Sequence, residues 1–156
     1  MNSYLSTPVL IVALSFFGAV VGAGIPAFFT SRNNNKNIFI NTVTTERAKW
    51  RGELRNHAAE FCKLAYGHLH GYGKVDGLRL EELRVLIRLR LNPNPNHVLD
   101  KAILDATLKV VKAIEGSDNG ELAEQLERVE SNVQVLLKQE WEKSKKEALK
   151  GKLVTA

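Results

Sequence analysis

The chain has 156 residues, 44% of them hydrophobic and 25% charged, with a formal net charge of +5. That balance is ordinary for a folded protein and excludes a disordered chain, and the single cysteine, Cys62, excludes an internal disulfide framework. The charge is uneven: residues 1–112 carry 15 Lys/Arg against 8 Asp/Glu, or +7, and residues 113–156 carry 7 against 9, or −2.

Residues 9–29 read VLIVALSFFGAVVGAGIPAFF and contain no charge. As a helix this run spans about 30 Å, the hydrocarbon thickness of a bilayer. A secretory signal wants Lys or Arg ahead of its apolar run, and residues 1–8 have neither. The expectation is therefore one retained transmembrane helix. Arg32, Lys36, Arg47 and Lys49 follow it. The positive-inside tendency then puts the N-terminus outside and the C-terminal domain in the cytoplasm. Gly18 and Gly22 are four apart, as are Ala19 and Ala23. Small residues at that spacing let two membrane helices approach closely, so these four form the expected self-association face. Residues 30–37, TSRNNNKN, are asparagine-rich and predict an interfacial turn. The expected domains are a short extracytoplasmic segment (1–8), the membrane helix (9–29), a linker (30–37) and a cytosolic helical domain (38–156).

The remaining roughly 120 residues are enough for one domain with its own core. Ile40, Val43, Trp50, Leu54, Phe61 and Leu64 follow helical spacing and predict a helix over 43–69, with Arg47 and His57 breaking the stripe. His70-Gly71-Tyr72-Gly73 is its stop. Leu80, Leu83, Leu86 and Ile87 predict a second helix over 78–91, widened by Leu89 and Leu91. Asn92-Pro93-Asn94-Pro95-Asn96 breaks the chain, with Asn94 or Asn96 the expected cap of the next helix. The third helix is expected over 97–114, on Leu99, Ile103, Ala106, Val110 and Ile114. After the polar turn 116–120, a fourth helix is expected over 121–150. Its stripe is Leu122, Leu126, Val129, Val133 and Leu136, with Trp141 near the register, a short coiled-coil-like pattern. Short connections favour antiparallel neighbours. The expected fold is all-α: an N-terminal transmembrane helix, then an antiparallel bundle of about four helices.

Phosphate-loop, dinucleotide, HExxH and CxxC patterns are absent from the sequence. His57, His68, His70 and His97 have no metal-site spacing with Cys62, which sits beside Phe61 as a structural thiol would. No catalytic residue, metal or cofactor is expected. The sharpest polar feature runs from residue 45 to 55. Arg47, Arg51 and Arg55 are four apart, with Lys49 and Trp50 beside them. This face suits anionic lipid or an acidic partner, including the acidic stretch 115–130 of the same chain. Equally, Arg47 and Arg51 can pair internally while Trp50 joins the core. Arg84 and Arg88 form a second basic face, which keeps nucleic acid as a disfavoured alternative.

The segment Thr45-Glu46-Arg47-Ala48-Lys49-Trp50-Arg51-Gly52-Glu53-Leu54-Arg55, directly after an apolar span, resembles that of uncharacterised small bacterial and phage single-pass membrane proteins. The resemblance implies a bacterial or phage origin and carries over no activity and no functional residue; with the anchor, the expected location is the bacterial inner membrane. The expected function is that of a non-enzymatic, membrane-anchored interaction protein: a self-associating scaffold, an adaptor or a bacterial defence effector. The bilayer, further copies of the chain and a protein partner are its expected contacts. The alternative is a membrane-tethered binder of nucleic acid or anionic lipid through the arginine-rich faces.

Overall fold

The computed structural model describes the backbone of residues 7–150, with side chains from Ile38 onward and at Ser15, Thr30 and Asn34. Four helices occur in the order α1 (Thr7–Leu69), α2 (Gly77–Arg90), α3 (Val98–Glu115) and α4 (Asn119–Lys150), and the described residues contain no strand. The chain divides into two compact units, Met1–Val43 and Thr44–Ala156.

In the first unit the described backbone is helical throughout, including residues 30–37, where the sequence predicts a turn. Asparagine in a helix interior costs under about 0.7 kcal/mol per residue relative to alanine. That is too little to stop a helix already propagating, since only nucleation is expensive. Among the described residues no helix is long and apolar enough to cross a membrane. Apart from Ser15, the apolar run 9–29, with Gly18, Ala19, Gly22 and Ala23, has its side chains outside the described residues.

The second unit is an antiparallel four-helix bundle, and its termini follow local chemistry. At the end of α1 the Tyr72 N–H donates to the Gly67 carbonyl at 2.9 Å and the Gly71 N–H to the His68 carbonyl at 3.0 Å. This paired closure needs a left-handed residue at 71, and glycine supplies it at φ +73°. Asp76 caps α2 by accepting from the Arg79 N–H at 3.0 Å. In the 92–96 loop each proline lacks an N–H, so the next one is taken by an asparagine side chain. Asn94 N–H donates to Asn92 Oδ1 at 2.9 Å, and Asn96 N–H to Asn94 Oδ1 at 3.0 Å. Neither asparagine caps α3, contrary to the expectation; His97 is the cap residue and makes no side-chain bond there. After α3 the Asp118 N–H donates to the Ala113 carbonyl at 2.9 Å and the Ser117 N–H to that of Ile114 at 3.2 Å. The left-handed position is Ser117, at φ 54°, while the neighbouring Gly116 is right-handed. Asp118 then accepts from the Glu121 N–H at 2.9 Å and caps α4.

The core runs the length of the bundle. Leu54 and Phe61 of α1, Leu83 and Ile87 of α2, Ile103 of α3 and Leu126 of α4 are fully buried. Each contributes about 1.5–3 kcal/mol by leaving water. The predicted stripe of α4 is buried throughout. Leu91 joins the core, but Leu89 is 74% exposed, so α2 buries one face rather than two.

Candidate functional site

The antiparallel order gives the bundle two distinct ends. Thr44 of α1, the 91–97 loop and the C-terminal half of α4 share the entry end. The loops at 70–76 and 116–118 share the far end. With each helix cut at its midpoint, the entry half (44–56, 84–106, 135–150) carries 13 Lys/Arg against 7 Asp/Glu, or +6. The far half (57–83, 107–134) carries 6 against 10, or −4. The modest net charge of the chain conceals this polarity.

At the entry end the apolar stripes of α1 and α4 both turn polar, and the polar positions meet. On α1 the stripe is interrupted at Arg47 and Arg51. On α4 the buried positions beyond Leu136 and Leu137 are Ser144 and Glu147. Arg51 is itself buried. Its guanidinium donates to Ser144 Oγ at 2.8 Å and reaches the Glu140 carbonyl at 3.5 Å. It also lies 5.6 Å from the centre of the Trp141 ring, within cation–π range. Arg47 pairs with Glu147, whose side chain is fully buried. A charge this deep needs a charged, hydrogen-bonded partner, and Arg47 is one. On the other side of α1, Trp50 Nε1 donates to the Arg90 carbonyl at 2.7 Å, satisfying a carbonyl in the last turn of α2. The Arg90 side chain pairs with Glu53 at 2.5 Å. These contacts clamp α2 and α4 onto the first turns of α1 in the bundle.

The arginine-rich stretch is thus divided. Arg47, Arg51 and Trp50 are engaged inside the bundle, while Lys49 and Arg55 are exposed. The second basic face is divided likewise: Arg84 pairs with Glu81 at 2.8 Å, and Arg88 is exposed. Arg79 is taken by Glu60 and Glu82. A cleft of about 830 Å³ opens at the entry end, lined by Arg47, Trp50, Arg90, His97 and Lys143. Its cations are largely answered by nearby carboxylates. Besides the pairs of Arg47 and Arg90, Asp100 lies 3.8 Å from His97 and accepts from the Asn92 N–H at 2.8 Å.

The remaining candidate groups are dispersed. Cys62 is buried on α1, and its thiol is pushed up to about 12, first by burial and then by the Glu130 carboxylate. A thiol held in that state is not a nucleophile at neutral pH. His57 is half-buried, and its Nδ1 makes no hydrogen bond among the described residues. His70 stacks on Tyr66 at 6.0 Å at the far end. Among the described residues no three of His, Cys, Asp and Glu converge as a metal-holding group.

Sequence reasoning missed Ser144 and Glu147. Their signal was available, since both extend the buried stripe of α4 by the same three- and four-residue steps. The partner 100 positions away was not. No protein-family model, curated protein or solved structure matches this chain.

Proposed function

We propose that the chain is a non-enzymatic, single-pass membrane protein of bacterial or phage origin, whose helical bundle works by binding. In this reading residues 9–29 are the anchor, with the N-terminus outside and the bundle on the cytoplasmic side of the inner membrane. Gly18, Ala19, Gly22 and Ala23 pair copies of the anchor. The bundle serves as a scaffold, adaptor or defence effector.

The observation that carries this reading is the charge polarity of the bundle. Its +6 half is the one at which the chain arrives from the apolar run, and its −4 half is the opposite one. Exposed Lys/Arg near an anionic leaflet contribute about 1 kcal/mol each. The exposed cations there include Lys49, Arg55, Arg88 and Lys146. Because Arg47 and Arg51 are occupied, the attraction is spread over the whole end rather than formed by one arginine-lined face. That spread favours a diffuse lipid surface over the bidentate phosphate contacts that nucleic-acid recognition uses.

The test is fractionation with alkaline carbonate, combined with protease accessibility in spheroplasts. The chain is expected to stay in the membrane pellet, and removal of residues 9–29 is expected to release it. Protease added outside should leave the bundle intact. Release of the full chain by carbonate would sink the anchor, and external digestion of the bundle would sink the orientation. For self-association, Gly18→Ile with Gly22→Ile should convert a crosslinked oligomer to monomer.

A further inference from the structure

Along one flank of the bundle, α1 and α4 leave an open groove of about 940 Å³. Its floor is apolar: Ala58, Cys62, Val129, Val133 and Leu137 line it and are buried. The groove exists because α1 places alanine and cysteine where a longer side chain would fill the space against the valines of α4. Its rim is charged. On α1 it carries Arg55, Ala59 and Lys63, at successive steps of four. On α4 it carries Glu130, Gln134 and Lys138, also at steps of four, and then Trp141, which is half exposed. Arg55 and Lys63 are exposed and make no ion pair or hydrogen bond among the described residues. Lys138 pairs with Glu142 at 3.0 Å, so among the described residues two unpaired rim cations, Arg55 and Lys63, stand against one rim anion, Glu130.

We propose that this groove docks an acidic amphipathic helix from a protein partner. An open groove covers one side of its guest, so the guest must bring its own water-facing surface. An amphipathic helix does so, setting anchors at i, i+4 and i+7 into the apolar floor. From Arg55 to Lys63 the rim runs about 12 Å along the helix axis, which matches three such anchors. The excess of cations selects acidic flanks, chiefly by steering and by rejecting basic competitors. A second copy of this chain is the poorer guest. Among the described residues, α2 exposes a stripe of Leu78, Val85 and Leu89, but that helix carries four arginines against two glutamates, so like charges would meet. The proposal rests on the reading of the bundle as a binding domain and is independent of the anchor.

The test uses the full chain reconstituted in zwitterionic nanodiscs, with a fluorescein-labelled helical peptide as probe. The peptide carries leucine at i, i+4 and i+7 with glutamate on both flanks, and a counterpart carries lysine for every glutamate. The glutamate peptide is expected to bind about tenfold or more tighter than the lysine peptide. Ala59→Trp, which fills the groove from an exposed position, should weaken it about tenfold. Arg55→Glu with Lys63→Glu should reverse the preference. Neither variant touches the buried core, so an unchanged melting temperature identifies these as binding effects. Equal affinity for the two peptides, no binding of either, or indifference to both variants would overturn the proposal. So would self-association that Ala59→Trp abolishes and the glutamate peptide does not compete, because that places a second copy in the groove. Loss of peptide binding with the chain still carbonate-resistant leaves the anchor standing, and the reverse outcome leaves the groove standing.

Discussion

The far and middle parts of the bundle are held together differently from its entry end. Around Phe61, Leu83, Ile103 and Leu126 the helices meet through fully buried apolar side chains. Apolar contact has no direction and tolerates small shifts. At the entry end the same helices meet through Arg47 with Glu147, Arg51 with Ser144, and Trp50 with the Arg90 carbonyl. Hydrogen bonds to charged groups are directional and costly to leave unmade. The apolar region therefore supplies most of the stability, and the polar end sets which residues of α1, α2 and α4 lie side by side.

The sharpest way to break that comparison is to remove one group from each region. Phe61→Ala opens a cavity in the apolar region and should cost about 3–5 kcal/mol in chemical denaturation. Arg47→Met removes a charged partner of a fully buried carboxylate and should cost about 3 kcal/mol. Adding Glu147→Leu to Arg47→Met should restore most of that loss, because the pair is then replaced by packing. If the double variant is as unstable as the single, the clamp does not act as a pair.

Cys62 offers a titration of the apolar region. Its folded thiol is raised from 9.0 to about 12 by burial and by Glu130, so the folded state holds the proton more tightly than the unfolded chain. Its stabilising contribution is complete below pH 9, falls as pH rises above that, and is gone by about pH 12. At pH 10 the loss should be about 1 kcal/mol relative to pH 8. Tyr66 is likewise raised above its ordinary value, first by burial and then by Glu130. The Cys62→Ala variant isolates the thiol, since its alkaline stability curve should be flatter by that amount.

The smallest expected effect lies at the turn between α3 and α4. Ser117 holds a left-handed backbone at φ 54°, a conformation that costs a side-chain-bearing residue about 1 kcal/mol. Ser117→Gly should stabilise the bundle by about 0.5–1 kcal/mol and raise its melting temperature by a few degrees. Asp118→Ala in the same turn should cost about 1 kcal/mol by uncapping α4. A stabilising effect of Asp118→Ala would mean that the hydrogen bond to the Glu121 N–H contributes nothing.

The helices of the bundle were legible in the sequence because they are local. Periodicity along α1 and α4, glycine at 71 and proline at 93 and 95 act through neighbours three or four residues away, and the observed limits differ from the expected ones by a residue or two, except at the start of α1, expected at residue 43, where the helix runs unbroken from Thr7. The same local reasoning failed at residues 30–37. There a run of weak helix formers was read as a turn, although each penalty is too small to end a helix. It failed again at the α3 cap, where the asparagines bond to one another across the prolines. The division of the arginine stretch into engaged and exposed residues was open from sequence, since Arg47, Arg51 and Arg55 share one spacing and one chemistry.

By itself, the sequence determined the all-α class, the helical stripes, the uncharged run at 9–29 and the unequal charge along the chain. Each of these is a property of composition or of contacts within a single turn. Only the tertiary structure decided that the charges separate into two ends, that Arg47 meets Glu147, and that α1 and α4 leave a groove with a basic rim. These depend on which helices become neighbours across 70 to 100 residues of chain. Packing of all the stripes at once chooses those neighbours, and no single stripe specifies them.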